Sequence, residues 1–552
     1  MTASVQRRVL MALLIVALLP YFSGLEDSSI WDANEAFYVE TPREMMERGD
    51  YIFPTFNYEP RVNKPVLSYW IVAGLYRIFG VSVAVQRLGI AIGGMIIIAA
   101  AFGLARLATA GRQPAAEPSQ RAVAPWIAAV GLAVDPRLVM FSRRIFIDVW
   151  ISAFMSLTLL FFALSERFPE RRKRFLVLMY VTVGLGVLTK GPIAAALPGL
   201  VFAVYLVAYS ELRRARDMLI PAGIAIVLLI VAPWYIALYQ RDGWTHIYSF
   251  FIGENLGRYT SGIGQQTPRP WYFYLPVVFG DSFPLSAFLI PAAIVWWRTR
   301  DRMQTLLWLW VLVIVVFFSF SHDKQDLYIF PIVPAVAALG ATALVQRRHA
   351  SKAVWIAALV LGAVLAALGA GVLYLFETGG RVYQLAGARF LGLTAIVGGV
   401  VAGFTAARQQ VLSATVTVLL ALATIDWIFV VRVLPDFERY KPVPPLSDYL
   451  RGILEPGDRI AHFNVALPSM VYYLQHHVEP YYSAEAFVAA VASADRLYAV
   501  LSERDYAALR GELGDSTCVL TAVPTFDVKL RNIIARDPVP RLLLITNRCG
   551  GR

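Results

Sequence analysis

The sequence predicts an α-helical polytopic membrane protein of about 13 transmembrane helices, followed by a small C-terminal α/β segment. Three observations predict it. Of the 552 residues, 58% are hydrophobic and only 16% are charged, against about 25% charge in a soluble domain. Apolar runs of roughly 18 residues, long enough to cross a bilayer, recur along the chain. The basic residues lie between those runs rather than in one patch, so the net charge of +12 points to a membrane protein and not to a nucleic-acid binder.

Thirteen apolar spans are read near residues 9–24, 83–107, 124–141, 149–166, 174–189, 191–209, 217–239, 274–297, 304–320, 328–345, 352–375, 387–406 and 411–433. Arg7 and Arg8 precede the first span and set the N-terminus on the cytoplasmic side. Counting onward, the loops at 108–122, 167–173, 211–216, 298–303, 346–351 and 407–410 are cytoplasmic, and every one carries Arg, as the positive-inside rule requires. The C-terminal segment then falls outside. A signal peptide is the competing reading of the first span, although no clear small-x-small cleavage site follows it.

The expected division is a transmembrane unit over 1–433, with long extracytoplasmic loops at 25–82 and 240–273, and a soluble α/β domain over 434–552. In the latter, "DRIAHFNV" and "RLLLITNR" read as strands, "SAEAFVAAVASA" and "ERDYAALRGEL" as helices, and "YKPVPP" as a Pro-rich linker. Cys518 and Cys549, the only cysteines, fall in this outer segment. Two readings stay open for them, a disulfide or two inert thiols.

The first outer loop is rich in charge: Asp32, Glu35, Glu40, Arg43, Glu44 and Lys64. "ETPREMMERGD" reads as a short amphipathic helix capped by Thr41, with Pro42 at its first position and Gly49 at its end, lying in the interface with its apolar face in lipid. Further polar clusters fall on the same side: Arg143, Arg144 and Asp148 in "SRRIFIDVW", Lys190 in "LTKGP", Glu254 and Arg258 in "IGENLGRYTSG", and His322 to Tyr328 in "SHDKQDLYIFP". Each alone reads equally well as a snorkelling side chain or a turn. Their recurrence on one face is what argues for a site. Cations at a membrane boundary suit the phosphate of a lipid-linked sugar. A carboxylate beside them suits proton abstraction from an acceptor.

With these motifs the chain resembles the lipid-dependent membrane glycosyltransferases of the C type (GT-C), a group that includes the lipid A aminoarabinose transferases and the protein O-mannosyltransferases. The resemblance runs over almost the whole chain and is most specific in "NEAFYVETPREM" and "GDYIFPTFNYEPRVNKPVLSYW". It implies an inverting transfer from a polyprenyl-phosphate sugar, with Lys64, Arg258 and Lys324 on the donor phosphate. Asp148, Glu35 and Asp32 are then the candidate catalytic carboxylates, and Asn34, Tyr38, Asn63, Tyr328 and Glu254 line the substrate site.

Three departures stand out. Asn34 occupies the place of the family's usual Asp, and an amide takes no proton at neutral pH. Asn63 stands where Glu is frequent before Lys-Pro, and Asn255 where His follows Glu in many aminoarabinose enzymes. The last two changes remove good metal ligands, so no metal site is expected and no cofactor is certain, with a divalent metal left open.

The resemblance further implies lipid A or another envelope glycan as acceptor, action as a monomer, and a bacterial inner membrane location with the site facing the periplasm. Two other classes compete. A lipid-linked sugar transporter would place charge near the bilayer midplane and show inverted repeats, neither of which is read here. A non-catalytic scaffold would account for Asn34.

Overall fold

The computed structural model describes residues 3–32, 34–110, 121–260, 269–346, 348, 350–379, 382–493, 495–514, 517–526 and 529–549. Every one of the thirteen predicted spans falls on helix. Among the described residues nine helices are long and apolar enough to cross a membrane, and a bent pair, Trp271–Gly280 with Leu285–Thr299, makes a tenth. The remaining three segments are shorter or more polar. The protein is a multi-pass membrane protein, and its bundle helices share one continuous apolar core.

Two spans differ from uninterrupted helices for local reasons. The 124–141 segment breaks into Ala124–Ala133 and Pro136–Phe141. Asp135 between them accepts from the Arg137 N–H at 2.8 Å, and Pro136 begins the new helix, the first-turn position that costs proline nothing. The bent pair turns by 109° around Asp281–Pro284.

The interfacial helix runs Ala36–Arg48, six residues earlier than its Thr41-Pro42 signal predicts. Gly49 does end it, at φ +65°, a left-handed conformation that glycine adopts without strain. Thr41 and Pro42 are interior and buried. The early start follows from anchoring, because Glu35 at the N-terminal boundary is gripped by Arg87. Its apolar face is covered by protein rather than lipid. Ala36 and Val39 pack with Ile30 against Tyr472 and Tyr473 of the C-terminal segment, while Tyr38 and Met45 join the bundle core.

A two-stranded hairpin, β1 (Thr55–Phe56) and β2 (Glu59–Pro60), follows that helix. The C-terminal segment holds β3 (Arg459–Phe463), β4 (Glu479–Tyr481), β5 (Leu497–Ser502), β6 (Cys518–Pro524) and β7 (Arg541–Thr546) in the order β4-β3-β5-β7-β6. β3 pairs in parallel with β4 and β5, while β7 runs antiparallel to β5 and β6. Alternate residues fill two cores, one on each face. Ile460, Val500 and Leu544 pack toward Leu446 and Met470. Ala461, Leu501 and Leu543 pack toward Phe487 and Leu509, the two-sided burial that a mixed sheet between helices requires. Part of the expected linker is helix: Val443–Arg451 has prolines in its first turn. Cys518 and Cys549 form a disulfide, with Cα atoms 5.5 Å apart.

Candidate functional site

Five elements bring their ends to one place. The interfacial helix delivers Tyr38. The turn after β2 delivers Lys64, and the first turn of Phe146–Arg167 delivers Asp148. The last residue of Arg172–Lys190 is Lys190, and the segment Ser249–Gly257, wound as a π-helix, delivers Glu254. Lys190 is stopped where it is by Gly191 at φ +102°, and a Cβ there would meet the Phe250 ring at 2.6 Å. That close approach lets the π-helical segment pack against the end of the Lys190 helix. π-Helical segments are rare and occur frequently at functional sites.

The charges pair across these elements. Lys64 Nζ lies 3.0 Å from Glu254 Oε2, and Lys190 is ion-paired with Asp148. Lys190 Nζ also stands 5.4 Å from the centre of the Tyr328 ring, a cation–π distance. The Tyr38 ring stacks on Tyr69 at 5.6 Å and on Phe146 at 5.7 Å. Burial pushes the Tyr38 hydroxyl well above its usual range, and Tyr69, Asp148 and Glu254 push it further. A Cβ at Gly191 would also stand 3.6 Å from Asn255, so Lys190 and Glu254 sit on adjoining backbone, and Tyr38 stacks on Phe146 two residues before Asp148; the two ion pairs are neighbours. Neither lysine is sealed: the side chains of Lys64 and Lys190 keep 23% and 18% of their exposure. A half-open Lys–carboxylate pair holds a cation ready for an anion that binds it better.

The other predicted site residues lie apart from this group or are otherwise engaged. Glu35 is fully buried and bidentate to Arg87, Nε–Oε1 2.6 Å and Nη2–Oε2 3.0 Å, and also accepts from the Trp31 N–H. Asp32 Oδ1 accepts from the Ser469 N–H at 2.8 Å, tying the first loop to the C-terminal segment. Burial raises the Asp32 carboxyl to about 6, against the pull of the Ser469 bonds and Lys441. Lys324 is buried and donates to the Ser321 carbonyl at 2.6 Å, within its own turn. Asn34 and Asn63 are exposed. The side chain of Arg258 lies outside the described residues.

Arg87 carries no weight in the sequence reading, yet it organises the first loop. Its Nη1 donates to the carbonyls of Leu25 and Ser28, each at 2.7 Å, and its Nη2 to that of Ser29. The signal available was an arginine one turn inside an apolar span, a position that demands a partner. Among the described residues, no group of three or more His, Cys, Asp or Glu side chains is placed to hold a metal ion.

Residues 63–236, about a third of the chain and including Lys64, Asp148 and Lys190, match the family model described as dolichyl-phosphate-mannose-protein mannosyltransferase. The crystal structure of ArnT from Cupriavidus metallidurans bound to undecaprenyl phosphate superposes with a TM-score of 0.77 at 21% identity, covering 98% of this chain and 99% of that one. The chain has the GT-C fold. Within that fold its sequence resembles the undecaprenyl phosphate-alpha-4-amino-4-deoxy-L-arabinose arabinosyl transferases. The one from Pseudomonas aeruginosa (strain LESB58) is 31% identical over 66% of this chain and 65% of its own length. Transferase 1 from Pseudomonas fluorescens (strain Pf0-1) is 29% identical over 61% of this chain and 58% of its own. The chain thus spans between 58% and 65% of the length of these relatives. The GT-C superposition continues beyond the aligned sequence, since it takes in nearly the whole chain.

Proposed function

We propose that this protein is an integral-membrane glycosyltransferase that moves a sugar from a polyprenyl-phosphate donor to an envelope acceptor, most like transfer of 4-amino-4-deoxy-L-arabinose to lipid A. One observation carries the reading: two half-open lysine–carboxylate pairs, Lys64–Glu254 and Lys190–Asp148, stand on adjoining elements beside the Tyr38–Phe146 stack. The fold shared with an undecaprenyl-phosphate-bound structure and the arabinosyl transferase relatives support it.

In this account Lys64 and Lys190 take the donor phosphate, with Arg258 closing the clamp. Tyr38 and Tyr328 form walls of the sugar site. The acceptor oxygen attacks the anomeric carbon. The bond to the polyprenyl phosphate breaks, its electron pair stays on the phosphate, and the configuration inverts. Cations that neutralise the leaving phosphate lower the barrier where charge develops. Asp148 is the carboxylate next to the reacting groups and serves as base when the acceptor is a hydroxyl. An ionised phosphate acceptor needs no base, which accommodates Asn34. Asp32 and Glu35 shape the site through the loop they hold.

The site faces the periplasm of the bacterial inner membrane in this proposal. The arginines of the predicted cytoplasmic loops and the Cys518–Cys549 disulfide, at home in an oxidising compartment, support that side. A protein acceptor is the second reading, favoured by the family model over residues 63–236. Reconstitution into liposomes with undecaprenyl-phosphate aminoarabinose, offering lipid A or unfolded periplasmic protein, tests the proposal. Transfer to lipid A is expected, and transfer to neither acceptor refutes it.

A further inference from the structure

Helix Leu67–Phe79, in the first outer loop, presents two unlike faces. Tyr69, Val72 and Tyr76 are buried in the bundle core. Trp70, Gly74, Arg77 and Ile78 follow the spacing of a single helical stripe. Along that stripe lies an open groove of about 310 Å³, lined by Tyr51, Trp70, Ala73, Gly74 and Arg77. Its aromatic walls are tied together, because Trp70 Nε1 donates to the Tyr51 carbonyl at 2.7 Å. Gly74 forms the floor, and a Cβ there would meet nothing within 4 Å.

Arg77 is exposed, and its side chain makes no hydrogen bond or ion pair with a described residue. No carboxylate lines the groove. Asp50, next to Tyr51, is already saturated. Its Oδ1 accepts from the Ile52 and Phe53 N–H groups at 3.1 and 3.2 Å, and its Oδ2 pairs with Arg48 and Arg241. A cation in the last turn suits the helix dipole, which accounts for a charge at Arg77 but not for the groove in front of it. Ile78 and Phe79, directly after Arg77, are strongly exposed. Free charge and bare apolar surface thus adjoin just before the span that begins at Val83. A guanidinium with free donors, aromatic walls and an apolar rim suits a phosphate carried on acyl chains. A head-group ammonium would find no free carboxylate here, so a head group with net negative charge fits better than a zwitterionic one.

We propose that this groove binds an anionic glycerophospholipid of the surrounding membrane. Arg77 takes the head-group phosphate, Tyr51 and Trp70 flank the glycerol region, and Ile78 and Phe79 lie beside an acyl chain. This lipid is distinct from the sugar donor, whose phosphate is assigned to the Lys64 and Lys190 pairs. The site needs only the membrane-embedded fold and stands apart from the transferase reading. A lipid seated there braces helix Leu67–Phe79, which begins three residues after Lys64, against the turn that follows the interfacial helix.

Native mass spectrometry of the full chain in detergent, which resolves the first bound lipid, tests this without relying on turnover. The probes are phosphatidylglycerol, phosphatidylethanolamine, undecaprenyl phosphate and inorganic phosphate. Phosphatidylglycerol should bind wild type more tightly than phosphatidylethanolamine does. Arg77→Gln should weaken the first phosphatidylglycerol by about 10-fold, as loss of a charge-assisted pair predicts, and Arg77→Lys should keep most of the affinity. Gly74→Leu fills the groove without touching a charge, enters space that a Cβ finds empty and favours the helix. It should cost about as much as Arg77→Gln. The double variant should lose no more than either single one, because both remove the same lipid. Melting temperatures without lipid should stay at the wild-type value, and undecaprenyl phosphate should bind every variant within about twofold of wild type. Wild-type phosphatidylglycerol affinity in Arg77→Gln and Gly74→Leu would overturn the proposal. So would equal binding of phosphatidylethanolamine, an equal loss of undecaprenyl phosphate, which would give the groove to the donor, or displacement of the lipid by inorganic phosphate alone.

Discussion

The two halves of the first outer loop carry similar charges and use them in opposite ways. In the first half, Glu35 meets Arg87 of the following span in a bidentate pair, their side chains 0% and 1% exposed. The loop carbonyls use up the remaining guanidinium donors. In the second half, Lys64 Nζ lies 3.0 Å from Glu254, and each side chain keeps about a fifth of its exposure. A sealed pair with every donor engaged has nothing left for a ligand, and breaking it strands a charge. A half-open pair is worth little by itself and gives way readily to a phosphate. Burial and saturation, more than residue type, separate the acid that holds the loop together from the acid and base proposed to work in the site.

The comparison is broken most directly at Arg87. Arg87→Ala should cost about 3–5 kcal/mol of stability, the toll of an orphaned buried charge, and thermal unfolding of the purified protein reads it. Glu35→Gln should also lower the melting temperature, and any loss of turnover should follow loss of folded protein. A stable Glu35→Gln with normal substrate affinities and a collapsed kcat would move Glu35 into the catalytic group.

Asp148→Asn should do the reverse. Turnover falls by about 100-fold or more with an acceptor hydroxyl, in line with loss of a positioned general base, while the melting temperature stays near wild type. With a phosphate acceptor the fall should be smaller, because no proton has to be removed. Equal losses with both acceptors would assign Asp148 to the donor rather than to the acceptor.

The smallest effect is expected at Asp32, whose carboxyl titrates at about 6 in the folded chain against its usual 3.8. A raised folded pKa means the native state holds the proton more tightly. Its contribution to stability is complete below about pH 3.8 and is lost as pH rises through about 6. Asp32→Asn keeps an oxygen to accept from the Ser469 N–H and cannot ionise. Its melting temperature should therefore gain on that of wild type between about pH 4 and pH 7. Parallel pH profiles would remove the linkage.

The helical segments were legible because a span leaves a long apolar run that few other folds produce. Strands β3 and β7 were legible from their β-branched and aliphatic runs. The start of the interfacial helix was not. Thr41-Pro42 is a good local cap signal, and the anchoring of Glu35 by an arginine 52 residues away overrode it. The same long-range bond hid the role of Glu35, since sequence shows that an acid is present and not that its oxygens are already engaged. The motifs themselves single out Lys64, Asp148, Glu254 and Tyr328. What the motifs could not show is that Lys64 meets Glu254 and that Asp148 meets Lys190, pairings set by helix ends far apart in the chain. Lys324 illustrates the reverse case: a basic residue in a polar motif that bonds within its own turn.

Equilibrium binding of undecaprenyl phosphate to wild type and to Lys64→Ala tests the central claim most directly, that the half-open pairs around Tyr38 hold the donor phosphate. The account predicts at least about a tenfold loss of affinity with the melting temperature unchanged, and a comparable loss for Lys190→Ala. Wild-type affinity in a folded Lys64→Ala protein would contradict it.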